Sequence, residues 1–344
     1  MRLVTFEAPD TPGRARLGLQ MAGVIVDVPR AGRWAQSGDW PPDMQSLLDA
    51  GPAAWERMRH LETMLAGEPL TEMRDGAQQP LAWRVEVTRL RSPLPRPRSL
   101  RDFYAFEEHV RNAFAIREQA IPEEWYRAPG FYFSNAQSVI GPGQEVAAPR
   151  ASRALDYELE VAAVVGSPGR DIRPEEAEAH IFGYTILNDW SARDIQRTER
   201  SVGLGPAKGK DFATSLGPCI VTPDELASSS AGRPGVYDLE MQARVNGTER
   251  SRGNWKDMCF SFGELLAQAS ADADLVPGDV IGSGTVGRGC LLELTRGQGP
   301  WLQPGDEVEL EIERIGVLKN TVVAPSPLSR SAGEGARVRA KANG

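Results

Sequence analysis

Asp156, Glu158 and Glu160 stand at every second position of LDYELEVAAVVG, where the chain enters a run of valines. Val161, Val164 and Val165 favour a strand, and a strand sends alternate side chains to opposite faces. Glu158 and Glu160 then share one face, and Tyr157, Leu159 and Val161 the other. Two carboxylates about 7 Å apart along a strand repel unless a positive charge lies between them or water screens them. Two readings follow: a solvated outer face on an edge strand, or a site for a cation. The triplet alone favours the first.

Three further stretches hold side chains able to do chemistry. In FGYTILNDWSARDIQRTER a strand ends at Asn188-Asp189, and Asp189 is placed to cap the helical turn that follows. Asp189, Arg193 and Gln196 would then sit at i, i+4 and i+7 on one face, either as a capped helix with an internal ion pair or as part of a site. In RDFYAFEEHVRNA, Asp102 is expected in a loop just before a helix carrying His109. In GPAKGKDFATSLGP a glycine-rich loop bears Lys210 and Thr214 without the spacing of a phosphate loop. Each stretch by itself also fits an ordinary structural role.

The elements that must position these residues are mostly short strands. Gly 35 and Pro 26 are spread along 344 residues, a pattern of strands joined by turns. Residues 1–95 read as a small leading α+β domain: MRLVTFEAP, then RLGLQMAGVIVDVP as a hairpin, then two helical patterns in DMQSLLDAGPAAWERMRHLETML. Pro93, Pro95 and Pro97 make an extended linker. Residues 96–323 read as the larger domain, with strands in FYFSNAQSVIG, DYELEVAAVVG, FGYTILNDW, PCIVTP, YDLEMQARVNGTE, GDVIGSGTV, CLLELTR and DEVELEIERIGVL. Asn246-Gly247 signals a hairpin turn. Helices are expected in FEEHVRNAFAIREQ, PEEAEAHIFG and FSFGELLAQAS. The polar, basic tail 324–344 reads as disordered.

Composition narrows the function. A formal charge of −8 argues against nucleic acid or an anionic membrane surface as partner. No apolar run approaches a membrane span, and the first residues lack a secretory apolar segment. Cys219, Cys259 and Cys290 show no metal-like spacing and read as thiols in a reducing compartment, so a cytoplasmic location is expected. His60 and His180 read as structural or surface residues, and Cys290 as a small buried hydrophobe rather than a nucleophile.

Taken together, from Asp102 to Val323, the motifs resemble the fumarylacetoacetate hydrolase family in its two-domain form. The resemblance implies a strand-dominated α+β fold, a mixed β-sandwich roll behind a small N-terminal domain. It implies metal ligands at Asp102, Glu158, Glu160 and Asp189, around Mg²⁺ or Mn²⁺, with Ca²⁺ able to use the same oxygen site. It carries a catalytic histidine to His109 and substrate contacts to Tyr104, Tyr132, Arg193, Gln196 and Thr285. Lys210 and Thr214 fall on the family's G-K-x-F-x-T loop, near the metal or a second cation, and Lys210 is counted with the catalytic residues. Members are commonly homodimers, and the same assembly is expected here.

The activity implied is hydrolysis of a carbon–carbon bond in a 1,3-dicarbonyl (β-diketo) acid, a small oxo-acid substrate. His109 would be the base, and Arg193, Gln196 and Lys210 the donors to the developing charge. The histidine-orienting glutamate has no obvious counterpart. The position following the family's S-G-P motif falls on Val286, and smaller members' glutamate, three residues beyond the histidine, falls on Asn112. Glu107, Glu108, Glu118, Glu123 and Glu124 are the remaining candidates. A lyase or isomerase acting on a 2-oxo acid, by decarboxylation or by dehydration of a 3-deoxy sugar acid, needs less water activation and stands as the alternative. A metal-binding scaffold without chemistry is the third reading.

Overall fold

The computed structural model describes residues 1–325, so most of the tail expected to be disordered lies outside the described residues. Two sheets organise it, and the fold is strand-dominated α+β. In the larger, 12-stranded sheet, Leu159–Val165 runs antiparallel to Ile181–Asp189 on one side and to Val280–Gly282 on the other. Beyond Val280–Gly282 lie Leu100–Phe103, in parallel, and then Phe131–Phe133. On the opposite side, Thr214–Val221 leads to Arg2–Glu7, Ala15–Met21 and Val24–Asp27. The leading strands therefore continue the sheet that carries the acidic motif. The second sheet, of five strands, contains Glu240–Val245, Thr248–Asn254, Glu307–Ile312 and Gly316–Val323.

Both faces of the central strands are covered. Every residue of Leu159–Val165 and of Ile181–Asp189 is buried. One face, with Leu159, Val161 and Ile186, joins a core with Met241, Leu310 and Leu318 of the second sheet. The other, with Ala162, Val164 and Leu187, joins Leu47, Leu48 and Leu61 of helix Met44–Leu65. A fully buried leucine contributes about 1.5–3 kcal/mol, so a strand apolar on both faces is held at the centre rather than the edge.

Several local expectations hold. Ala15–Met21 and Val24–Asp27 form the hairpin. Asn246 and Gly247, at φ 51° and 73°, make the turn between Glu240–Val245 and Thr248–Asn254. The two helical patterns of the leading segment meet at Gly51, whose φ of 72° breaks the helix. The helix expected in FSFGELLAQAS is Phe262–Ser270, and the structure adds a reciprocal cap of Ser261 and Glu264 at its start.

Three expectations are corrected. Asp102 lies within strand Leu100–Phe103, not in a loop. Asp189 ends its strand, and a further short strand, Ser191–Ala192, intervenes before helix Arg193–Ser201, so Ala192 and not Asp189 precedes that helix. CLLELTR is not a strand: Leu291–Leu294 is a helical turn. Leu291 and Leu292 give their N–H groups to the Asp156 carboxylate rather than to a strand partner.

Gly282 shows how closely the strands approach at the site. It pairs with Asp102 across the parallel ladder, and a Cβ there would lie 2.4 Å from Asp102 Oδ1. A Gly282→Ala variant is expected to lose about 1–3 kcal/mol of stability through overpacking, measured by urea unfolding. An unchanged midpoint would mean that Asp102 has room to swing aside.

Candidate active site

One cavity of about 400 Å³ opens at the ends of the central strands. Asp102, Tyr104, His109, Tyr132, Glu158, Glu160, Arg193, Gln196, Lys210 and Thr285 line it, ten of the residues singled out in the sequence. Asp189 stands just behind, its Oδ2 accepting from Tyr132 Oη at 2.5 Å. Thr214 pairs with Asp189 between neighbouring strands, is buried, and does not line the cavity.

Glu160 is 0% exposed and Glu158 4%, which excludes a solvated outer face. Tyr157 and Glu158 lie in a break between the short strand Leu155–Asp156 and Leu159–Val165, and Tyr157 turns away from the cavity to meet Ser251 at 2.7 Å. Asp102, Glu160 and Asp189 each offer a carboxylate oxygen within 4.8 Å of the others. Glu160 Oε2 and Asp189 Oδ1 are buried without a hydrogen-bond partner, an expensive arrangement unless something positive binds between them. Oxygen-only donors of this kind fit a hard divalent cation. Glu158 is held apart from that trio: Arg193 Nη2 lies 2.8 Å from its Oε1, and Lys210 Nζ bonds its Oε2. Lys210 also bonds Asp189.

The protonation of these groups follows from burial and neighbours. Burial, then the charge of Asp189, pushes Asp102 up to about 8. Burial, with Asp102 and Asp189 beside it, lifts Glu160 well above the usual glutamate range. Burial also raises Asp189, against the opposing pull of Lys210. Glu158 goes the other way: burial would raise it, but Arg193 and Lys210 outweigh that and hold it low. Lys210, despite burial, is held charged by Asp189 and Glu158.

His109 is carried by helix Glu107–Ala115 and is buried. Its Nδ1 lies 2.7 Å from Glu293 Oε2. Glu293, not among the glutamates considered from the sequence, is the carboxylate that meets His109. It is held by Asn112 Nδ2 at 2.9 Å and by the Arg288 N–H at 2.9 Å. Burial raises Glu293, but His109 and these donors outweigh it and the carboxyl lies below its usual range. The earlier candidates play other parts. Val286 is an apolar side chain packed against Gly253, and Glu107 turns to Arg111 and Tyr126. Asn112, standing where smaller family members place a glutamate, instead supports Glu293. Cys290 donates to Glu293 Oε2 at 3.3 Å, and burial pushes its thiol well above the usual range, against a nucleophilic role.

The raised carboxyls have a consequence for metal binding. Protons held by Asp102, Glu160 and Asp189 must leave before all three oxygens can ligate. Divalent-ion binding is expected to release protons near neutral pH and to tighten as pH rises through about 8, the folded value for Asp102. A carboxyl raised on folding also costs the metal-free protein stability as pH climbs from the unfolded range through that value. Its melting temperature should therefore fall between pH 6 and 9, and the ion should restore it. Calorimetric titration in buffers of different ionisation enthalpy measures the released protons, and a pH-independent affinity would refute the assignment.

Residues 99–323 match the family model described as Fumarylacetoacetate (FAA) hydrolase C-terminal. Among curated relatives, Oxaloacetate tautomerase FAHD2A, mitochondrial, of Homo sapiens is 34% identical across 94% of this chain and 92% of its own length. Fumarylacetoacetase of Arabidopsis thaliana is 32% identical, across 78% and 77%. Among solved structures, fumarylacetoacetate hydrolase from psychrophilic Exiguobacterium antarcticum matches with a TM-score of 0.68 at 29% identity, covering 94% of this chain and 99% of that one. Maleylpyruvate hydrolase from Sphingobium sp. SYK-6, solved with manganese(II) and pyruvate, shares the fold at a TM-score of 0.67 and 23% identity, covering 95% and 100%. This chain is therefore an enzyme of the fumarylacetoacetate hydrolase family.

Proposed function

We propose that the protein is a divalent-metal-dependent hydrolase that cleaves a carbon–carbon bond in a 1,3-dicarbonyl acid. The observation that carries this reading is the His109–Glu293 pair, 2.7 Å apart, in the same cavity as the carboxylate cluster. Asp102, Glu160 and Asp189 would hold Mg²⁺ or Mn²⁺, with Glu158 completing the set once it turns from Lys210. A bound ion would supply Lewis-acid stabilisation of the enolate charge that makes a carbon leaving group tolerable.

The side chains divide the remaining work. Glu293 fixes the His109 ring through Nδ1, leaving Nε2 to take a proton from an attacking water. Tyr104 packs edge-on against that ring, centroids 5.2 Å apart. Arg193 and Gln196, linked at 3.2 Å, offer N–H donors to the substrate carboxylate or developing oxyanion. Lys210, held charged by Asp189 and Glu158, provides a further cation.

The pocket also suits an acid with a second negative group. Arg117 and Arg200 line it beside Arg193. Burial, then the nearby charges of Arg117 and Arg193, lowers the pKa of Arg200, as expected of cations gathered without an anion between them. Phe114, Trp125 and Leu292 provide apolar wall between these positions. Arg200→Ala is expected to raise KM for a dicarboxylic substrate roughly tenfold, about the worth of one charge-assisted hydrogen bond, with little change in kcat. An equal loss on a monocarboxylic analogue would remove Arg200 from substrate recognition.

A second reading has its own support. A relative 34% identical across nearly the whole chain is named an oxaloacetate tautomerase. Tautomerisation, decarboxylation or dehydration of a 2-oxo acid passes through the same stabilised enolate without an attacking water. NMR assays with Mg²⁺ or Mn²⁺ on acylpyruvates, fumarylacetoacetate-like diketones, oxaloacetate and 3-deoxy-2-oxo sugar acids separate the two. Hydrolysis predicts two acid fragments, lost in Glu160→Ala and lowered by orders of magnitude in His109→Ala and Glu293→Gln. Enol–keto exchange, CO₂ or a dehydrated product, formed without acid fragments, would establish the alternative, and its survival in His109→Ala would point to decarboxylation.

The assembly proposed is a homodimer, supported by the exposed apolar side chains of Phe133, Val202 and Leu204. Val202 and Leu204 lie on the loop that brings Gly205 and Pro206 to the cavity. A cytoplasmic location is supported by Cys219, Cys259 and Cys290, all free thiols. No helix among the described residues is long and apolar enough to cross a membrane.

A further inference from the structure

Asp156 opens the acidic motif but does not line the cavity. It is 0% exposed, and a carboxylate so placed must be fully bonded to be tolerated. Its partners come from two directions. Leu291 N–H donates to Oδ1 at 2.8 Å and Leu292 N–H to Oδ2 at 2.9 Å. From the other side, Arg193 Nε donates to Oδ2 at 2.8 Å, and Arg193 Nη2 lies 2.8 Å from the same oxygen. The strand pairing Leu155↔Ala192 and Asp156↔Ser191 brings Arg193 within reach. The Leu291–Leu294 turn is the one that carries Glu293 to His109.

We propose that Asp156 is a positioning residue for the reaction, holding the Arg193 guanidinium and the Glu293-bearing turn in one fixed arrangement. It rests on the roles given above to Arg193 and to the His109–Glu293 pair. The geometry explains why a third acid belongs to the motif although it faces no substrate. Arg193 reaches toward Glu158 and Gln196 with its remaining nitrogens, so its orientation depends on Asp156 gripping Nε. The turn has only four residues, and its first two N–H groups are both taken by the same carboxylate. Loosening Asp156 would free the substrate-binding cation and tilt the base's support together. A residue acting through Arg193 alone would change binding, and one acting through Glu293 alone would change turnover. Asp156 should change both.

The test uses the full-length, metal-loaded enzyme and Asp156→Asn, which keeps the shape and removes the charge. The wild-type protein should show a low-field NMR proton resonance from the His109 Nδ1–H shared with Glu293, assigned by its loss in His109→Ala. Asp156→Asn is expected to shift or abolish that resonance, to lower kcat roughly 10–100-fold, as loss of an orienting partner does, and to raise KM. In a Glu293→Gln background the same substitution should cost far less kcat, since its route to the base is already cut. A folded variant with the wild-type resonance would overturn the proposal, as would a full-sized kcat loss in the Glu293→Gln background. If Asp156→Asn does not fold, Asp156→Ser, which keeps an acceptor, takes its place. Failure of both to fold would also overturn it, since Asp156 would then hold the fold rather than the site. The resonance needs no substrate, so its loss in the variant of an enzyme that hydrolyses no diketo acid would reject the proposed activity and leave the positioning role standing.

Discussion

The site depends on one electrostatic constraint: five carboxyl groups, Asp102, Asp156, Glu158, Glu160 and Asp189, are buried at one end of a sheet covered on both faces. Removing a carboxylate from water costs several kcal/mol unless it is paired, protonated or ligated. The first two remedies operate at neighbouring residues, and the third is what the remaining oxygens call for. Asp156 is paired with Arg193 and two backbone N–H groups. Glu158 is paired with Arg193 and Lys210. Asp102, Glu160 and Asp189 have pKa values raised by burial, and two of their oxygens stay without a partner. The residual demand for positive charge is concentrated on the trio that points at a common centre.

That division also shapes the fold. Asp102, Glu160 and Asp189 sit on Leu100–Phe103, Leu159–Val165 and Ile181–Asp189, whose apolar lengths anchor two cores. Rigid strands hold their oxygens in register, while the two cations come from less regular chain, Arg193 at the start of a helix and Lys210 in a loop. Fixed anions, with one cation carried by a loop, suit a site in which Lys210 occupies oxygens that a metal would need. The ammonium neutralises the cluster without the ion, and four methylenes of side chain give it room to withdraw.

Much of this was legible in residue order. Alternation in DYELEV put Glu158 and Glu160 on one face opposite Tyr157, and both glutamates do line the cavity, although the strand itself begins only at Leu159. Burial was not legible, because alternating acids look alike on a solvated edge and in a charged interior; only the cover from the second sheet and from helix Met44–Leu65 separates the two. Glu293 was hidden for a local reason. CLLELTR has the composition of a strand, and a strand would have sent Glu293 and Cys290 to opposite faces. As a helical turn, it places residues three apart on the same side, so Cys290 and Glu293 meet. The available signal was Asp156, a third acid without a job in the metal site, whose carboxylate terminates the preceding chain and starts that turn. Asp189 failed as a cap for a similar reason: the strand Ser191–Ala192, paired with Leu155–Asp156, intervenes before the helix.

The same geometry bears on which reaction the cavity favours. Enolate stabilisation requires only the carboxylate trio and an ion, and would not need a buried histidine tied to a buried glutamate. The chain nevertheless maintains that pair at a cost, using Asn112, the Arg288 N–H and the Cys290 thiol to satisfy Glu293 and Asp156 to seat its turn. A carboxylate kept ionised against its own burial, and aimed at one ring nitrogen, raises the basicity of the other. That arrangement is useful where a proton must be taken from water or from carbon. Hydrolysis requires the first and tautomerisation the second, so the dyad weighs against simple decarboxylation, which needs neither. Either proton must be taken within the cavity wall that Tyr104 forms edge-on to the His109 ring and that Phe114 and Leu292 extend.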